Sequence, residues 1–330
     1  MYPYISSGKD PITRTPADRC SAGKKSSTQT YGGFVTGYDE FDPAYFKMSR
    51  SEAANMDPQY RLLLELAEEA IHGVGGINDP RLKSRTGVFV GISSSDFASH
   101  TARSDNASAY LGTGTSHSMA AGRIAYHYGF HGPTKSIDTA CSSSMTAFDE
   151  AVQTLRQNKC DVALVFGVNG IFTTDATNMF LQLNMLATDG RCKSFDAAAN
   201  GYVRSEGGGC IVLQRRGYLY PLRRPLALVA GTAVNSDGKS ARITAPNGKA
   251  QEAVIKLALQ DADLEPFDID IIEAHGTGTP IGDPIEVDAL GGVFSATREL
   301  AYGPLMIGAV KSVVGHCQTA TLRLPLAWLV

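Results

Sequence analysis

Six short apolar runs, rich in valine and isoleucine and mostly bounded by glycine, constrain the fold of this chain more than any other feature. They cover residues 86–92, 161–168, 207–213, 225–234, 269–274 and 305–310. Apolar and polar residues do not alternate along most of these runs, which is typical of strands buried on both faces of a sheet. The runs therefore predict a sheet that is covered on both sides.

Helical patterns lie between several of these predicted strands. Residues 56–71 carry leucine and alanine at helical spacing, with Asp57 as the predicted N-cap and Pro58 at the first helical position. Residues 144–157 and 248–262 predict two further helices. Because strands alternate with helices along the chain, the sequence predicts a layered α/β fold.

The charge balance and the cysteines narrow the class of protein. The 330 residues have a net charge of −3, which gives no reason to expect binding to nucleic acid or to an anionic membrane. The six cysteines form no CxxC pair, which argues against a disulfide framework or a zinc site and fits a reducing compartment. No apolar run is long enough to span a bilayer, and the N-terminal residues lack the apolar segment of a signal peptide. We therefore expect a cytoplasmic protein that binds neither nucleic acid nor a membrane.

The stretch DTACSSSMTA places Cys141 between a predicted strand that ends at Ile137 and a predicted helix that begins near Met145. The N-terminus of a helix offers unpaired N–H groups and a partial positive charge. Both favour a thiolate, which is the nucleophilic form of cysteine. On this stretch alone the alternative stays open that Cys141 is a small buried side chain with no chemical role.

The stretch EAHGTGTPIGDPIE, residues 273–286, places His275 at the C-terminal end of another predicted strand. Ligands of open α/β sheets bind beyond the carboxyl ends of the strands. Gly276 and Gly278 allow the backbone to approach a ligand closely, and Thr277 and Thr279 offer hydroxyl groups to an extended polar ligand. A phosphate-binding loop is the alternative, but the glycine spacing of such loops is absent.

The stretch GAVKSVVGHCQTA, residues 308–320, follows the last predicted strand and carries Lys311 and His316. A single histidine in such a place is often a structural, hydrogen-bonded residue. Three strand ends that carry Cys141, His275 and the Lys311–His316 pair instead indicate one site that the fold assembles.

These three motifs together resemble those of the β-ketoacyl synthase, or ketosynthase, domains of modular polyketide synthases and related fatty acid synthases. DTACSSSMTA matches the nucleophile motif, EAHGTGTPIGDPIE the first histidine motif, and KSVVGHCQTA the lysine–histidine motif. Supporting similarity extends over residues 41–65, 121–133, 185–209 and 235–248. The resemblance covers nearly the whole chain.

The resemblance implies a thiolase-like fold built from two similar layered α/β halves with the layer order α-β-α-β-α. We expect one ketosynthase domain over residues 1–330, with the N-terminal half at about 1–215 and a partial C-terminal half at about 225–330. The family's opening strand is missing before residues 5–19, and Pro325 interrupts the helix that the family has near the end. Both halves are therefore expected to be incomplete.

The resemblance also implies a decarboxylative Claisen condensation. Cys141 would attack an acyl thioester and hold the acyl group covalently. A malonyl-type extender would then lose carbon dioxide, and N–H groups of His275 and His316 would stabilise the charge on its thioester oxygen. Lys311 would support His316.

Four further residues receive expected roles. Thr277 and Thr279 match the family positions that bind the pantetheine arm through hydrogen bonds. Asp138 and Glu206 are expected to hold the scaffold rather than to act in catalysis.

The partners follow from the same resemblance. The substrates would arrive on the phosphopantetheine of an acyl carrier protein, and no cofactor or metal would be bound by the chain itself. Residues 121–138 resemble a segment at the family's dimer interface, which implies a homodimer.

Three alternatives remain at this point. The missing strands predict a truncated, inactive remnant that pairs with intact ketosynthases. A thiolase acting on acyl-CoA would share the fold, but it needs a second catalytic cysteine, and Cys317 lacks the glycine-rich setting of that residue. A cysteine protease leaves the threonine–glycine loop after His275 unexplained.

Overall fold

The fold is described from a computed structural model of the chain. The structure describes residues 8–19, 31–76, 82, 85–102, 108–216, 225–295 and 303–323. The predicted helix interruption at Pro325, and most of the predicted division between residues 215 and 225, lie outside the described residues.

The described residues form eight strands and ten α-helices. The strands are β1 Ile12–Arg14, β2 Tyr31–Gly33, β3 Thr86–Gly91, β4 Thr134–Ile137, β5 Val162–Asn169, β6 Gly207–Gln214, β7 Ile271–Glu273 and β8 Met306–Gly308. The helices are α1 Arg50–Ala54, α2 Pro58–Gly73, α3 Asp96–Thr101, α4 Leu111–Thr115, α5 Ser118–Tyr128, α6 Ser143–Arg156, α7 Asp175–Gln182, α8 Gly248–Ala262, α9 Gly282–Phe294 and α10 Lys311–Val314. Short 3-10 helices lie at Ala17–Arg19, Ala140–Ser142, Pro266–Asp268 and Gln318–Arg323.

The first region comprises the described residues up to 216. A four-stranded sheet in the order β4-β3-β5-β6 forms its centre. β3 pairs in parallel with β4 and with β5, and β6 closes the other edge antiparallel to β5. Every residue of β3 and β5 is buried. The strands predicted at 86–92, 161–168 and 207–213 are thus confirmed, and burial on both faces is confirmed for the two central strands.

Helices cover both faces of this sheet because successive strand residues point to opposite sides. Val88 and Phe166 belong to the core beneath α2 and α5. Phe89 and Val165 belong to a second core beneath α6. The layered α/β prediction is therefore confirmed for this region.

The predicted helices are found with small changes at their ends. Asp57 caps α2 by accepting a hydrogen bond from the N–H of Gln59 at 2.8 Å, and Pro58 is the first helical residue. α8 spans the predicted residues 248–262 without change. α6 begins one residue before its predicted start.

The second region, which comprises the described residues from 225 onward, has a smaller sheet. β7 and β8 pair in parallel as two strands, and α8 and α9 pack against them. Ile272 and Phe294 are buried in this core, whereas Ile271 is 48% exposed and Met306 60% exposed. The strands predicted at 269–274 and 305–310 exist, but each is three residues long and only partly buried.

The strand predicted at residues 225–234 is wrong. Residues 225–247 contain neither helix nor strand, and Leu226 is 93% exposed. The backbone of this segment bonds to side chains instead: the Ala230 carbonyl accepts from Arg156, and the Thr232 N–H donates to Asp261. An apolar run becomes a strand only when another strand pairs with it, and no described strand lies beside this one.

Among the described residues, no helix combines the length and the apolar character that crossing a membrane would require.

Candidate active site

Three side chains from motifs far apart in sequence meet at one place. The Sγ of Cys141 and one ring nitrogen each of His275 and His316 all lie within 4.8 Å of one another. The two imidazole rings stand at 88° to each other, with centroids 5.6 Å apart. Cys141 and His275 are exposed while His316 is buried, so the cluster is open to solvent on one side.

Cys141 lies in a tight turn between β4 and α6, as the sequence predicts. Ala140, just before it, has a φ of +56°, a conformation that residues with a side chain seldom adopt. The Asp138 carboxylate accepts a hydrogen bond from the Ala140 N–H at 3.0 Å. This bond helps to hold the strained turn that presents the thiol.

Two glycines allow close packing below this turn. A Cβ on Gly91 would lie 2.5 Å from the backbone nitrogen of Ser144, at the start of α6. A Cβ on Gly167 would lie 2.5 Å from the carbonyl oxygen of Thr319, within the lysine–histidine motif. The strand ends can therefore contact both motifs directly.

His275 is held by a carboxylate from α9. Glu286 accepts hydrogen bonds from the backbone N–H of His275 at 2.6 Å and from that of Gly276 at 2.8 Å. Asp283 does the same for the next part of the loop, accepting from the N–H of Gly278 at 3.0 Å and of Thr279 at 3.2 Å. The loop after β7 is thus positioned through its backbone.

Backbone hydrogen bonds attach His316 to the first region, and not to β8, the strand that precedes it in the chain. Its N–H donates to the Val203 carbonyl at 2.8 Å, and its carbonyl accepts from the Ser205 N–H at 2.9 Å. The ring of Tyr202 packs edge-on against the imidazole, with centroids 5.1 Å apart. This backbone bridge joins the two regions at the reacting cluster.

Lys311 is buried at the start of α10 and is 4% exposed. Burial lowers the pKa of its ammonium group, and the nearby carboxylates of Glu273 and Glu286 act in the opposite direction. Glu273 also accepts a hydrogen bond from the N–H of Val310 at 2.8 Å. Lys311 therefore places a buried charge behind the cluster.

The turn acts on the thiol in the direction that the sequence predicts, but burial opposes it. Burial raises the pKa of Cys141 and is the largest influence on it. Lys311 and the backbone N–H groups of Cys141 and Ser142 lower it, as the sequence suggests, but they do not outweigh desolvation. The net effect on the pKa of Cys141 is a rise, which favours the thiol over the thiolate.

Both histidines are neutral at physiological pH. Solvent reaches part of the His275 ring, yet protein atoms surround most of it, and this desolvation, with the charge of Lys311, lowers its pKa to about 3. Burial likewise lowers the pKa of His316 well below its ordinary value, followed in effect by His275 and Lys311. Each ring can therefore donate one N–H and accept at its other nitrogen.

The two threonines lie together on the loop after His275. Thr277 is buried, and its hydroxyl oxygen is 3.4 Å from that of Thr279. The Thr279 hydroxyl also accepts from the N–H of Gly282 at 3.2 Å. They lie two and four residues from His275, on the segment that Asp283 holds.

Glu206 has a structural role, as the sequence predicts. Its buried carboxylate accepts from the N–H of Val35 at 2.9 Å and of Ile171 at 3.0 Å. It also forms an ion pair with Arg19 at 2.9 Å.

Sequence reasoning assigned no role to Glu286, Asp283, Glu273 or Tyr202. The first two stand in the first histidine motif and in the first two turns of α9, where acidic residues could have indicated backbone anchors. Tyr202 has no local signal, because only the fold brings it to His316.

The comparison with protein families covers most of the chain. The model described as "Beta-ketoacyl synthase, N-terminal domain" matches residues 2–217, and "Beta-ketoacyl synthase, C-terminal domain" matches residues 226–324.

Curated relatives are much longer than this chain. Erythronolide synthase EryA3 of Saccharopolyspora erythraea is 43% identical over 322 residues, which are 97% of this chain and 10% of that protein. Mycoketide-CoA synthase of Mycobacterium tuberculosis is 44% identical over 333 residues, 97% of this chain and 8% of that protein. The chain thus spans about a tenth of these relatives.

Solved structures share the fold. The oxazolomycin ketosynthase domain OzmH KS7 of Streptomyces albus matches with a TM-score of 0.88 and 34% identity, over 98% of this chain and 58% of that one. The ketosynthase from module 6 of the bacillaene synthase of Bacillus subtilis matches with a TM-score of 0.86 and 33% identity, over 97% of this chain and 55% of that one. The chain therefore shares the thiolase-like fold of ketosynthase domains and spans a little over half of their length.

Proposed function

The chain belongs to the β-ketoacyl synthase family, and from that premise we propose that it catalyses decarboxylative Claisen condensation in polyketide biosynthesis. The observation that carries the proposal is the cluster of Cys141, His275 and His316, whose reactive atoms lie within 4.8 Å of one another. A thiol beside two neutral imidazoles is the set of groups that thioester exchange and enolate stabilisation require.

In the first step, the Cys141 sulfur attacks the carbonyl carbon of an acyl thioester. Because burial raises the pKa of Cys141 and keeps both imidazoles neutral, the proton leaves only during the attack and is relayed through an imidazole of the cluster, with no stable imidazolium formed. The imidazole returns that proton to the departing pantetheine sulfur. The acyl group remains on Cys141 as a thioester.

In the second step, a malonyl-type thioester loses carbon dioxide and becomes an enolate. His275 and His316 are neutral, so each can donate an N–H to the enolate oxygen. The enolate carbon attacks the acyl carbonyl, the bond to the Cys141 sulfur breaks, and the released thiolate takes a proton from solvent. The positive charge of Lys311 favours the negative charge that develops next to His316.

The loop after His275 supplies the proposed binding site for the pantetheine arm. Thr277 and Thr279 carry hydroxyls on a segment whose backbone Asp283 and Glu286 fix. The arm would bring its substrates on an acyl carrier protein, and no cofactor bound by the chain enters the proposal.

The quaternary state and the location are part of the proposal. We treat residues 1–330 as one ketosynthase domain that divides near 215–225 and acts as a homodimer through residues 121–138. β4 lies at the edge of the sheet and pairs with β3 alone among the described strands, so its other side can pair with a second copy. The five described cysteines are all free thiols, which fits a cytoplasmic site of action.

A condensation assay tests the proposal. The chain is incubated with an acyl-pantetheine thioester and with malonyl-acyl carrier protein, and mass spectrometry follows the carrier protein. A β-ketoacyl carrier that appears only with the malonyl extender, and not with acetyl-CoA in its place, supports the proposal. Product from acetyl-CoA would indicate a thiolase instead.

The matched variants are Cys141→Ala and Cys317→Ala, which remove one thiol each. The first is expected to abolish product, and the second to keep it, since Cys317 lies outside the cluster of Cys141, His275 and His316. Absence of product from the wild type would leave the inactive remnant as the better interpretation.

A further inference from the structure

We propose that Cys141, His275 and His316 form a binding site for a divalent transition metal of the Zn²⁺ type, and that the bound ion inhibits acyl loading. The inhibitory consequence rests on the proposed function of Cys141, whereas the ligand set rests on geometry alone. Nothing in the proposed reaction uses a metal, so the ion acts as a reversible blocker of the site.

The geometry supports tetrahedral coordination with small adjustments. The three donor atoms lie within 4.8 Å of one another. A tetrahedral zinc ion with bonds of about 2.0–2.3 Å needs donor atoms roughly 3.3–3.8 Å apart. Contraction by at most about 1.0–1.5 Å is within reach of side-chain rotation at an open site.

The donor types and the access route are also suitable. One thiolate and two imidazoles match the Cys and His ligands that zinc prefers. Cys141 and His275 are exposed, so an ion can reach them without opening the fold. Three protein ligands leave a fourth position for water, as in zinc sites that exchange ligands.

The surroundings hold the ligands in place. Glu286 fixes the backbone of His275, and Val203 and Ser205 fix that of His316. The Nδ1 atom of His316 is buried and has no hydrogen-bond partner in the described part of the chain. A bound ion would therefore not have to displace a hydrogen bond from that nitrogen.

The charge of Lys311 acts on all three side chains of the cluster and opposes a cation there. The carboxylates of Glu273 and Glu286 interact with Lys311 and offset its charge. When Zn²⁺ replaces the proton of the Cys141 thiol, an S–Zn bond forms, the S–H bond breaks and the proton passes to solvent. The site becomes more positive by one unit, and no electron is transferred.

A bound ion inhibits acyl loading because the Cys141 sulfur cannot bind the metal and attack a thioester at the same time. The lone pair that would attack a thioester carbonyl is shared with the metal. Conversely, an acyl group on Cys141 removes the thiolate ligand. Metal binding and acylation are therefore expected to exclude each other.

Titration of the purified full chain with Co²⁺, a spectroscopic substitute for Zn²⁺, tests the site. The wild type is expected to show one ion per chain, a thiolate-to-cobalt charge-transfer band and the visible bands of a tetrahedral site, all abolished by added Zn²⁺. Cys141→Ala and Cys141→Ser should lose the charge-transfer band. His275→Ala should weaken binding more than about 100-fold, because even outer contacts of a metal site contribute roughly 10–100-fold.

Two controls keep the test specific. Cys317→Ala removes a buried thiol next to His316, and His131→Ala removes an exposed imidazole; both should bind Co²⁺ like the wild type. Wild-type protein that is first acylated should lose the charge-transfer band without any mutation. At a Zn²⁺ concentration about ten times the dissociation constant, acyl loading should slow roughly tenfold and recover with a chelator.

The failures of the two proposals can be told apart. A charge-transfer band that persists in both Cys141 variants, or the absence of a band in the wild type, would overturn the metal site. Acyl loading at Cys141 without any cobalt band would keep the ketosynthase proposal and reject this one. A cobalt band that depends on Cys141 in a chain that takes up no acyl group would do the reverse.

Discussion

The two regions that meet at the cluster support their side chains in different ways. Cys141 lies between β4, an edge strand of the four-stranded sheet, and α6, which packs on that sheet. The two central strands of the sheet are buried throughout. His275 follows β7, one of only two short, partly exposed strands in the second sheet. Cys141 therefore rests on a packed core, and His275 on a loop.

The difference shows how a sparse region can still hold a side chain accurately. Carboxylates supplement the smaller core of this region: Glu286 and Asp283 accept hydrogen bonds from the N–H groups of the loop after β7. His316 is attached across the regions by backbone bonds to Val203 and Ser205. We expect damage to the first region to unfold the protein, and damage to the second to impair condensation first.

The largest expected effect separates the two cores. Phe166→Ala removes a fully buried ring from β5 and should lower the free energy of unfolding by about 3–5 kcal/mol. Ile272→Ala, in the smaller core beneath β7, should lower it by about 2–3 kcal/mol, because its partly open site can relax. Urea unfolding followed by circular dichroism measures both.

The rates of acyl loading and condensation in Ile272→Ala also compare the two regions. Ile272→Ala should retain acyl loading at Cys141 while condensation falls. If loading fell as much as condensation in this variant, the two regions would not be separable as described.

His275→Ala tests the division of labour within the cluster. Loss of one N–H donor to the enolate oxygen should reduce condensation by about 10²–10³-fold, the usual cost of losing an oxyanion donor. Acyl loading should fall less than about tenfold, since the imidazole of His316 remains as a proton acceptor. Rates of adduct formation and of product formation are measured separately, and an equal loss of both contradicts the assignment.

Asp57→Asn tests a pH dependence that belongs to the first region. Burial raises the pKa of Asp57 from 3.8 to about 7. As pH rises from about 4 to 7, the carboxyl ionises in the unfolded chain but not in the folded one, so the wild type loses stability over this range. The loss should be on the order of 2–4 kcal/mol, since one pKa unit corresponds to about 1.4 kcal/mol.

The asparagine keeps the oxygen that caps α2 but cannot ionise. The difference in unfolding free energy between Asp57→Asn and the wild type should therefore grow from pH 4 to pH 7 and then stay constant. A difference independent of pH would show that Asp57 is ionised in the folded protein.

The smallest expected effect concerns Glu286, which positions His275 without belonging to the cluster. Glu286→Gln keeps one acceptor oxygen and removes the charge, so one of its two backbone bonds is lost. Condensation should fall about tenfold, the scale of a small misplacement of a reacting group, with acyl loading unchanged. Glu150→Gln, which alters an exposed ion pair with Lys135, is the matched control and should leave both rates unchanged.

The sequence predicts the first region better than the second for a physical reason. Runs such as 161–168 are buried on both faces and, apart from Asp161, are apolar, so local pattern and final environment agree. The run 225–234 has the same local pattern, but its backbone bonds to Arg156 and Asp261 in place of a neighbouring strand. Strand pairing is a property of distant segments and cannot be read from one run.

For the site too, the sequence predicts the motifs but not the properties that depend on distant segments. The motifs identify Cys141, His275, Lys311 and His316, and the fold brings the cysteine and both histidines together. The raised pKa of Cys141 could not be predicted, because it depends on how much of the surrounding protein excludes water from the thiol.

The most direct test of the account is the intact-protein mass of the chain after incubation with a short acyl-pantetheine thioester. The account predicts one acyl adduct on the wild type and on Cys317→Ala, and none on Cys141→Ala. An adduct of equal yield on Cys141→Ala would contradict it, because the acyl group would then be held somewhere other than the cluster of Cys141, His275 and His316.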